Sequence, residues 1–263
     1  ICTYANISFA NSKIQTTRLK STAGIGVGSI LLDEATMLNP APLAFFQTGA
    51  IYYQKSNQEQ DNSTTEFTNT LMIASDSKGK IGGSVSYFTD EMEKLISVSL
   101  ASPISDRSAL GITYHDKETL NSLSQEEKIR YFTFGVSHAI SESFTLGIIA
   151  NDPTNEISDQ SQVIVGGQFT YKDFISIMGD FGVNWKEEIS NSLYYGAALQ
   201  FKVYQDFFIR LGGSMDKKLN IKTTGTGASW VSPKVIFNMA LNFTKQNAQE
   251  EVKDSSFSVS YKF

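Results

Sequence analysis

The last nine residues, SSFSVSYKF, put Phe257, Val259, Tyr261 and Phe263 on one face and Ser256, Ser258, Ser260 and Lys262 on the other. Alternation with period two marks a β-strand with one apolar and one polar face, and it runs here to the final residue. The same pattern recurs throughout the chain. It is clear at 81–87, 96–100, 110–114, 132–136, 144–150, 163–169, 175–183, 193–203, 207–211 and 235–243, and looser at 43–54 and 67–74. With the closing strand this makes thirteen strong segments. Such a series predicts a single all-β sheet rather than a helical or mixed fold.

Parity tests the count. Bacterial single-chain membrane barrels have an even number of antiparallel strands, with short turns at one end and longer loops at the other. If the first strand runs outward from Ala41, the polar stretches 55–65, 117–127 and 152–160 all fall outside, and SPISDR and AISES fall inside. The chain then needs one more inward pass before Pro233. The only candidate is 220–231, weakened by Thr, Gly and Ser, and including it gives fourteen strands. Tyr52, Tyr53, Tyr87, Phe88, Tyr114, Tyr131, Trp185, Tyr194 and Tyr195 lie at expected outer ends. Phe45, Phe169, Tyr171, Phe174, Phe207, Phe208, Tyr261 and Phe263 lie at inner ends. Two such girdles are what a membrane barrel requires. The terminal aromatic resembles the C-terminal signal of bacterial outer-membrane barrels. That resemblance implies the outer membrane of a Gram-negative bacterium, with Phe257, Val259, Tyr261 and Phe263 on the closing strand as the handle for the barrel-assembly machinery.

Composition excludes several alternatives. No window approaches 18 consecutive apolar residues, so a transmembrane helix is not expected. Five prolines in 263 residues suit sheet interiors. A net charge of -5 argues against a nucleic-acid partner. The single Cys2 cannot form an intrachain disulfide.

Residues 1–40 form a lead-in segment distinct from the barrel at 41–263. Residues 1–10 admit two readings, the tail of a signal peptide with Ser8 and Ala10 as small cleavage-site residues, or an ordinary mature N-terminus. After polar 11–20, Ser21 or Thr22 is expected to cap a short helix carrying Ile30, Leu31, Leu32, Ala35, Met37 and Leu38, ended by Asn39-Pro40. Gly24, Gly26 and Gly28 lack the spacing and the preceding strand of a phosphate loop. They read better as room for close packing against a barrel wall.

The stretch AGIGVGSILLDEATMLNPAPLAFF resembles the lead-in of FadL-type outer-membrane proteins, the long-chain fatty-acid transporters. Gly24, Asp33, Asn39, Pro40, Ala41 and Leu43 match as they stand, whereas Pro42 stands where that family usually has Gly. The resemblance covers roughly twenty-five residues. It implies a fourteen-stranded antiparallel transmembrane barrel whose N-terminal helical segment enters the lumen from the periplasm. Gly24, Gly26, Gly28, Leu31, Asp33, Glu34, Met37, Asn39 and Pro40 would form that plug.

The expected lumen-facing set is small and polar: Ser84, Ser86, Gly111, Thr113, Gly147, Gly166, Gln168, Gly196, Ala198, Asn238, Ala240 and Asn242. Arg130, Asp180, Lys202 and Arg210 are the main charged candidates, and the faces of Arg130 and Arg210 depend on the pleat assignment. Few charges and a plugging segment predict an occluded lumen rather than an open porin. Of the two histidines, His115 sits beside Asp116 and His138 beside Ser137, without G-x-S-x-G or a triad pattern. They are read as rim side chains, and the chain as no enzyme. Two isolated histidines make no typical metal cluster, and no metal or cofactor is expected.

Two functions fit. The first is a compact porin-like protein with an occluded lumen, assembling into a ring-like homo-oligomer that encloses or binds membrane lipid. The small size and plug resemble the design of the compact porin-like proteins (PopA-like) of predatory bacteria. The alternative is a FadL-type transporter of hydrophobic small molecules such as fatty acids. Against it stands the shortness of the loops, since about sixteen residues per strand and connection leave little beyond a ~10-residue span.

Overall fold

A computed structural model describes residues 14–60, 66–120, 126–156, 161–246 and 251–263. The proposed signal-peptide remnant at 1–10 and the centres of the three expected loops lie outside the described residues. A short helix α1, Thr17–Ser21, and a 3-10 turn, Ala41–Phe45, precede the strands. These are β1 (Gly49–Gln60), β2 (Glu66–Asp76), β3 (Gly82–Thr89), β4 (Glu93–Ser105) and β5 (Ser108–Leu120). Next come β6 (Glu126–Ala139), β7 (Phe144–Asn151), β8 (Gln162–Tyr171) and β9 (Ile175–Val183). A single helical turn α2, Ile189–Ser192, leads to β10 (Tyr194–Tyr204) and β11 (Phe207–Asp216). The last three are β12 (Ile221–Val231), β13 (Val235–Gln246) and β14 (Val252–Lys262).

All fourteen pair antiparallel with their sequence neighbours, and β14 closes on β1, making one barrel without a free edge. The weak pass at 220–231 is a full strand, paired along its length with β11 and β13. Closure reaches the terminal residue. The Phe263 amide donates to the Gly49 carbonyl at 2.9 Å, and the Gly49 amide donates to the Phe263 carbonyl at 3.1 Å. The Phe263 ring lies over Gly49, where a Cβ would come within 2.5 Å of it.

The barrel is inside out relative to a soluble one. Ser97, Ser99, Thr113, Ser258 and Ser260 point inward and are fully buried, whereas Ile51, Val98, Leu100, Ile177, Leu211 and Met239 point outward and are exposed. The alternation of the closing strand holds, with Phe257 and Tyr261 outward and Ser256, Ser258 and Ser260 inward.

Several expectations need correction. Residues 55–60, 117–120 and 126–127 belong to strands, not loops, because hairpin pairing continues as register Lys117↔Ile129 and Glu118↔Lys128. The first strand starts at Gly49 rather than Leu43, since Pro40 and Pro42 favour the intervening 3-10 turn. The helix expected to carry Ile30 to Leu38 is absent. Among the described residues the only helix of the lead-in is α1, where Thr16 is the N-cap, its hydroxyl accepting from the Leu19 amide, and Thr22 is the C-cap. Residues 22–40 run instead through turns. Four expected girdle aromatics, Tyr52, Phe88, Tyr131 and Tyr194, are buried on the inner face, while Tyr53, Tyr87 and Tyr195 are outward as expected.

Candidate functional site

The interior of the barrel is occupied by its own N-terminal segment, and a ring of wall glycines makes the room. A Cβ at Gly225 would overlap the Lys20 carbonyl, and at Gly212 the Thr22 backbone. One at Gly196 would meet the Ile25 side chain, one at Gly166 the Gly28 amide, and one at Gly147 the Val27 carbonyl. Further on, Gly135 faces the Asn39 side chain, Gly111 the Ala41 amide and Gly82 the Leu43 carbonyl. From Lys20 to Leu43 the facing glycines step back from Gly225 to Gly82, with Val27 and Gly28 together spanning Gly147 and Gly166. The chain therefore travels round the inside of the wall from β12 to β3 before it becomes β1. At most of these steps a segment backbone lies where a side chain on the wall would stand, and at Gly196 and Gly135 a segment side chain does.

Polar anchors fix that path. Asp180 on β9 accepts from the amides of Gly26 (2.8 Å) and Val27 (3.1 Å). Lys20 donates to Asp254 (2.7 Å) and to Ser56 (2.8 Å). The Thr17 amide donates to the Tyr52 hydroxyl at 2.9 Å. Glu34 accepts from the Thr16 hydroxyl at 3.1 Å, and Thr36 and Ser84 share a short hydrogen bond. Asn39 is the principal pin. Its amide donates to the Val27 carbonyl (3.0 Å) and Ser137 (3.1 Å), and its side-chain oxygen accepts from the Ala41 amide (3.1 Å). Pro40 then starts the 3-10 turn.

The glycines of the segment divide by role. Gly24, at φ +82°, and Gly26, at φ +153°, adopt backbone that L side chains rarely take. Gly28 packs on the Gly166 backbone, the close approach expected of all three. Met37 packs with Ile14 against Tyr52, Leu71, Ile73, Phe88 and Leu95. Ile25 and Val27 pack on Ile149, Ile164, Met178 and Ala198. Leu31 lines a shallow crevice together with Gly26, Ser29 and Glu34, too narrow for a water molecule.

Of the charged lumen candidates, Asp180 and Arg210 are buried inside and Lys202 is half-buried on the inner face of β10. Arg210 donates to Gln200 (2.8 Å) and Ser229 (2.5 Å), and Arg18 donates to the same Gln200 oxygen (3.0 Å). Arg130 is outside: it is exposed and faces Asp116 at 3.7 Å, because Tyr131 and Thr133 hold the inward phase of β6. The pleat reading was one residue off there. The small polar set from Ser84 to Asn242 does line the interior, including buried Ser84, Thr113, Asn238 and Asn242.

His115 also departs from its expected rim position. It is buried, stacked on Tyr131, and bridges Ser97 (2.8 Å) and Thr133 (3.1 Å). Thr133 donates its one proton to Asn151 (2.6 Å), so His115 Nε2 carries a hydrogen and Nδ1 accepts from Ser97. The chain resembles a hydroxyl–base–orienter array, yet Ser97 has no exposed surface at all, and the arrangement cross-links β4 to β7. Lys20, Asp254, Arg18 and the His115 chain were missed in the sequence. An acid at the inward phase of β14 was the one available signal for the ion pair.

Asp33 gives the segment a pH dependence. It is partly buried and accepts from Ser260 on β14 at 3.1 Å. Burial, and then the neighbouring Glu34, push its pKa up from the usual carboxylate range to about 7, against the pull of Ser260, Lys262 and Arg18. A carboxyl whose docked pKa is raised binds its proton more tightly docked than free. Its contribution is therefore fully present below about pH 4 and is lost as pH rises through 7. Hydrogen exchange of amides 29–38, corrected for intrinsic rates, should show protection falling between pH 5 and 8. Asp33→Asn should flatten that slope; an unchanged slope would exclude Asp33 as its source.

No protein-family model and no curated protein matches the sequence. Solved structures do match in fold. The CymD monoaromatic hydrocarbon channel aligns at TM-score 0.77 and 10% identity, over 97% of this chain and 99% of that one. The Ralstonia pickettii toluene transporter TbuX aligns at 0.67 and 10%, over 97% and 99%. The Pseudomonas putida toluene transporter TodX aligns at 0.65 and 8%, over 93% and 96%. The likeness is one of fold, and it is the fold that the FadL-type lead-in resemblance implied.

Proposed function

We propose that this chain is an outer-membrane channel of a Gram-negative bacterium that admits small hydrophobic molecules, with residues 14–45 as the plug of its resting lumen. The observation that carries this reading is the ring of inward glycines that seats a polar-anchored segment inside an apolar-coated, edgeless barrel. An apolar outer face and full strand closure are what a lipid bilayer demands of a β-protein. The lumen wall itself supports hydrophobic cargo. Leu71, Ile73, Phe88 and Leu95 make an apolar strip on β2 to β4, and Ile149, Ile164 and Met178 another on β7 to β9. A general porin for ions and sugars has no use for such strips. The structures of like fold are named for monoaromatic hydrocarbons and toluene, which points the same way.

The test is uptake in cells with an intact outer leaflet, where that leaflet limits hydrophobic solutes. Gram-negative cells producing the chain should take up labelled toluene severalfold faster than cells without it. Equal initial rates would sink the reading.

A second reading, the ring-like homo-oligomer enclosing lipid, draws on the seating of the N-terminal segment against the inner wall of the barrel. Counting subunits by native mass spectrometry in mild detergent decides it, and a monomer would remove it.

A further inference from the structure

The glycines of this barrel fall into two groups, and only one is explained by the chain itself. Those facing inward are pressed by the N-terminal segment or, at Gly182, by Ile164 and the Val163 carbonyl of β8. Gly179 and Gly213 face outward, and a Cβ on either would meet nothing closer than a carbonyl oxygen at 3.8 or 3.9 Å. Their backbone is ordinary, so neither packing nor conformation within this chain calls for glycine.

Register shows what they build. Gly167 pairs with Gly179, Gly179 with Ala197, Ala197 with Gly213, and Gly213 with Thr224. Five small outward residues thus lie in one row across β8 to β12, spanning about 19 Å at the usual strand spacing. The row above holds Phe181, Tyr195 and Met215, and the row below holds Ile177, Leu199 and Leu211. Large apolar side chains on both sides of a row of small residues make a groove. It starts near the loop end of β12, since Thr224 is the fourth residue of that strand, and reaches mid-strand at Gly179. Its course is therefore oblique, from one end of the barrel toward the middle of the wall.

At the upper end of the groove stands an unusual pair. Lys222 and Lys245 are directly opposite each other on β12 and β13, both outward and exposed, one step beyond Thr224 and Phe243. Like charges directly opposite on a sheet repel. Among the described residues neither lysine has a carboxylate within 4.0 Å, although Lys117, Lys128 and Lys253 each have one. In a chain with a net charge of -5, two unpaired ammonium groups set side by side are a local reversal of sign.

We propose that this groove holds a phosphate-bearing lipid of the outer leaflet, with the phosphate between Lys222 and Lys245 and one acyl chain over Thr224, Gly213, Ala197 and Gly179. The inference rests on the membrane placement given above, but not on the identity of the transported solute. Charge complementarity selects the occupant: the opposed lysines need a compact anion, and the apolar groove leading away from them fits the chain of an amphiphile. A lysine near a membrane surface contributes a modest attraction to anionic lipid, and two acting on one phosphate add. The length of the groove is comparable with the roughly 15 Å depth of one leaflet.

The full chain in mild detergent, titrated with diphosphorylated lipid A and with its dephosphorylated form, tests this by native mass spectrometry. The phosphorylated lipid should be retained at one copy and the dephosphorylated form bound about thirtyfold more weakly. Lys222→Gln with Lys245→Gln should erase that difference. Gly179→Leu with Gly213→Leu should displace both lipids, with the barrel's resistance to unfolding in detergent unchanged. Equal binding of the two lipids, binding unaffected by both double variants, or a groove covered by a second copy that lipid does not displace would each overturn the proposal. Failure of toluene uptake with lipid retention intact would count against the channel reading alone.

Discussion

Valine at Gly147 and Gly225 together should drive the N-terminal segment out of the barrel and raise its conductance. Each substitution puts a branched side chain where a segment carbonyl now lies, that of Val27 at one site and of Lys20 at the other. Neither the wall nor the segment can yield locally, because both contacts are backbone. Overpacking of this kind costs about 1–3 kcal/mol per site, and separated sites add to within a few tenths. The wall strands keep their pairing, so the cost falls on the docked segment. An eight-stranded barrel is filled by its own side chains and a sixteen-stranded one conducts, so fourteen strands emptied of the segment should leave an aqueous path lined by Ser, Thr and Asn. Planar-bilayer recordings should show discrete steps for the double variant and larger, steadier ones after deletion of residues 14–38. Gly83→Val is the control: its Cβ would face outward, 3.8 Å from Leu100, and should leave conductance at baseline. Folded variants whose conductance does not rise would mean that the segment is not what closes the lumen.

The ring of glycines also shows what the sequence could tell and where it fell short. Alternation is a local signal, and it located thirteen of the fourteen strands; β12, hidden by its Thr, Gly and Ser content, was placed only by the even strand count that a closed barrel requires. Gly225 seats the segment, and Gly227 both Ser21 of the segment and the Met239 carbonyl of β13, so the weakness of β12 as a strand is a trace of the packing inside. The phase of each strand was readable where one face is uniformly small, as in β14. It was not readable at Arg130 or at the Tyr52–Tyr53 pair, where both phases carry bulky or polar groups and only closure of the barrel decides which turns inward. The lead-in was misread for a different reason. Ile30, Leu31, Leu32, Ala35 and Leu38 have a spacing a helix could use, but turns let Asn39 and Asp180 hold the backbone against the wall. Tertiary hydrogen bonds overrode local propensity. The Asn39-Pro40 pair, read in the sequence as a helix stop and as part of a resemblance, is instead the pin of the segment.

Breaking the Lys20–Asp254 pair should cost far more than removing it. The ammonium and the carboxylate lie 2.7 Å apart, both about nine-tenths buried, with Ser56 and the Gln58 amide completing the cluster. Removing one partner of a buried pair costs about 3–5 kcal/mol, while replacing both by apolar groups of similar size is often neutral. Amide exchange at 19–25 should therefore accelerate more than about a hundredfold in Lys20→Met and in Asp254→Asn. In the Lys20→Met, Asp254→Leu double variant it should return to within about tenfold of the parent. Additive losses would show that the two side chains are uncoupled. The two single variants should also part with pH. Burial already lowers the Lys20 pKa, and Asp254 is the group that raises it again. Without that carboxylate the docked lysine releases its proton more readily than the free one. Docking in Asp254→Asn must then strengthen as pH climbs from the lowered docked value toward the ordinary lysine range near 10. Lys20→Met has no ammonium to lose and should show no such recovery, so the alkaline rescue of one variant and not the other identifies the buried charge that holds the segment in place.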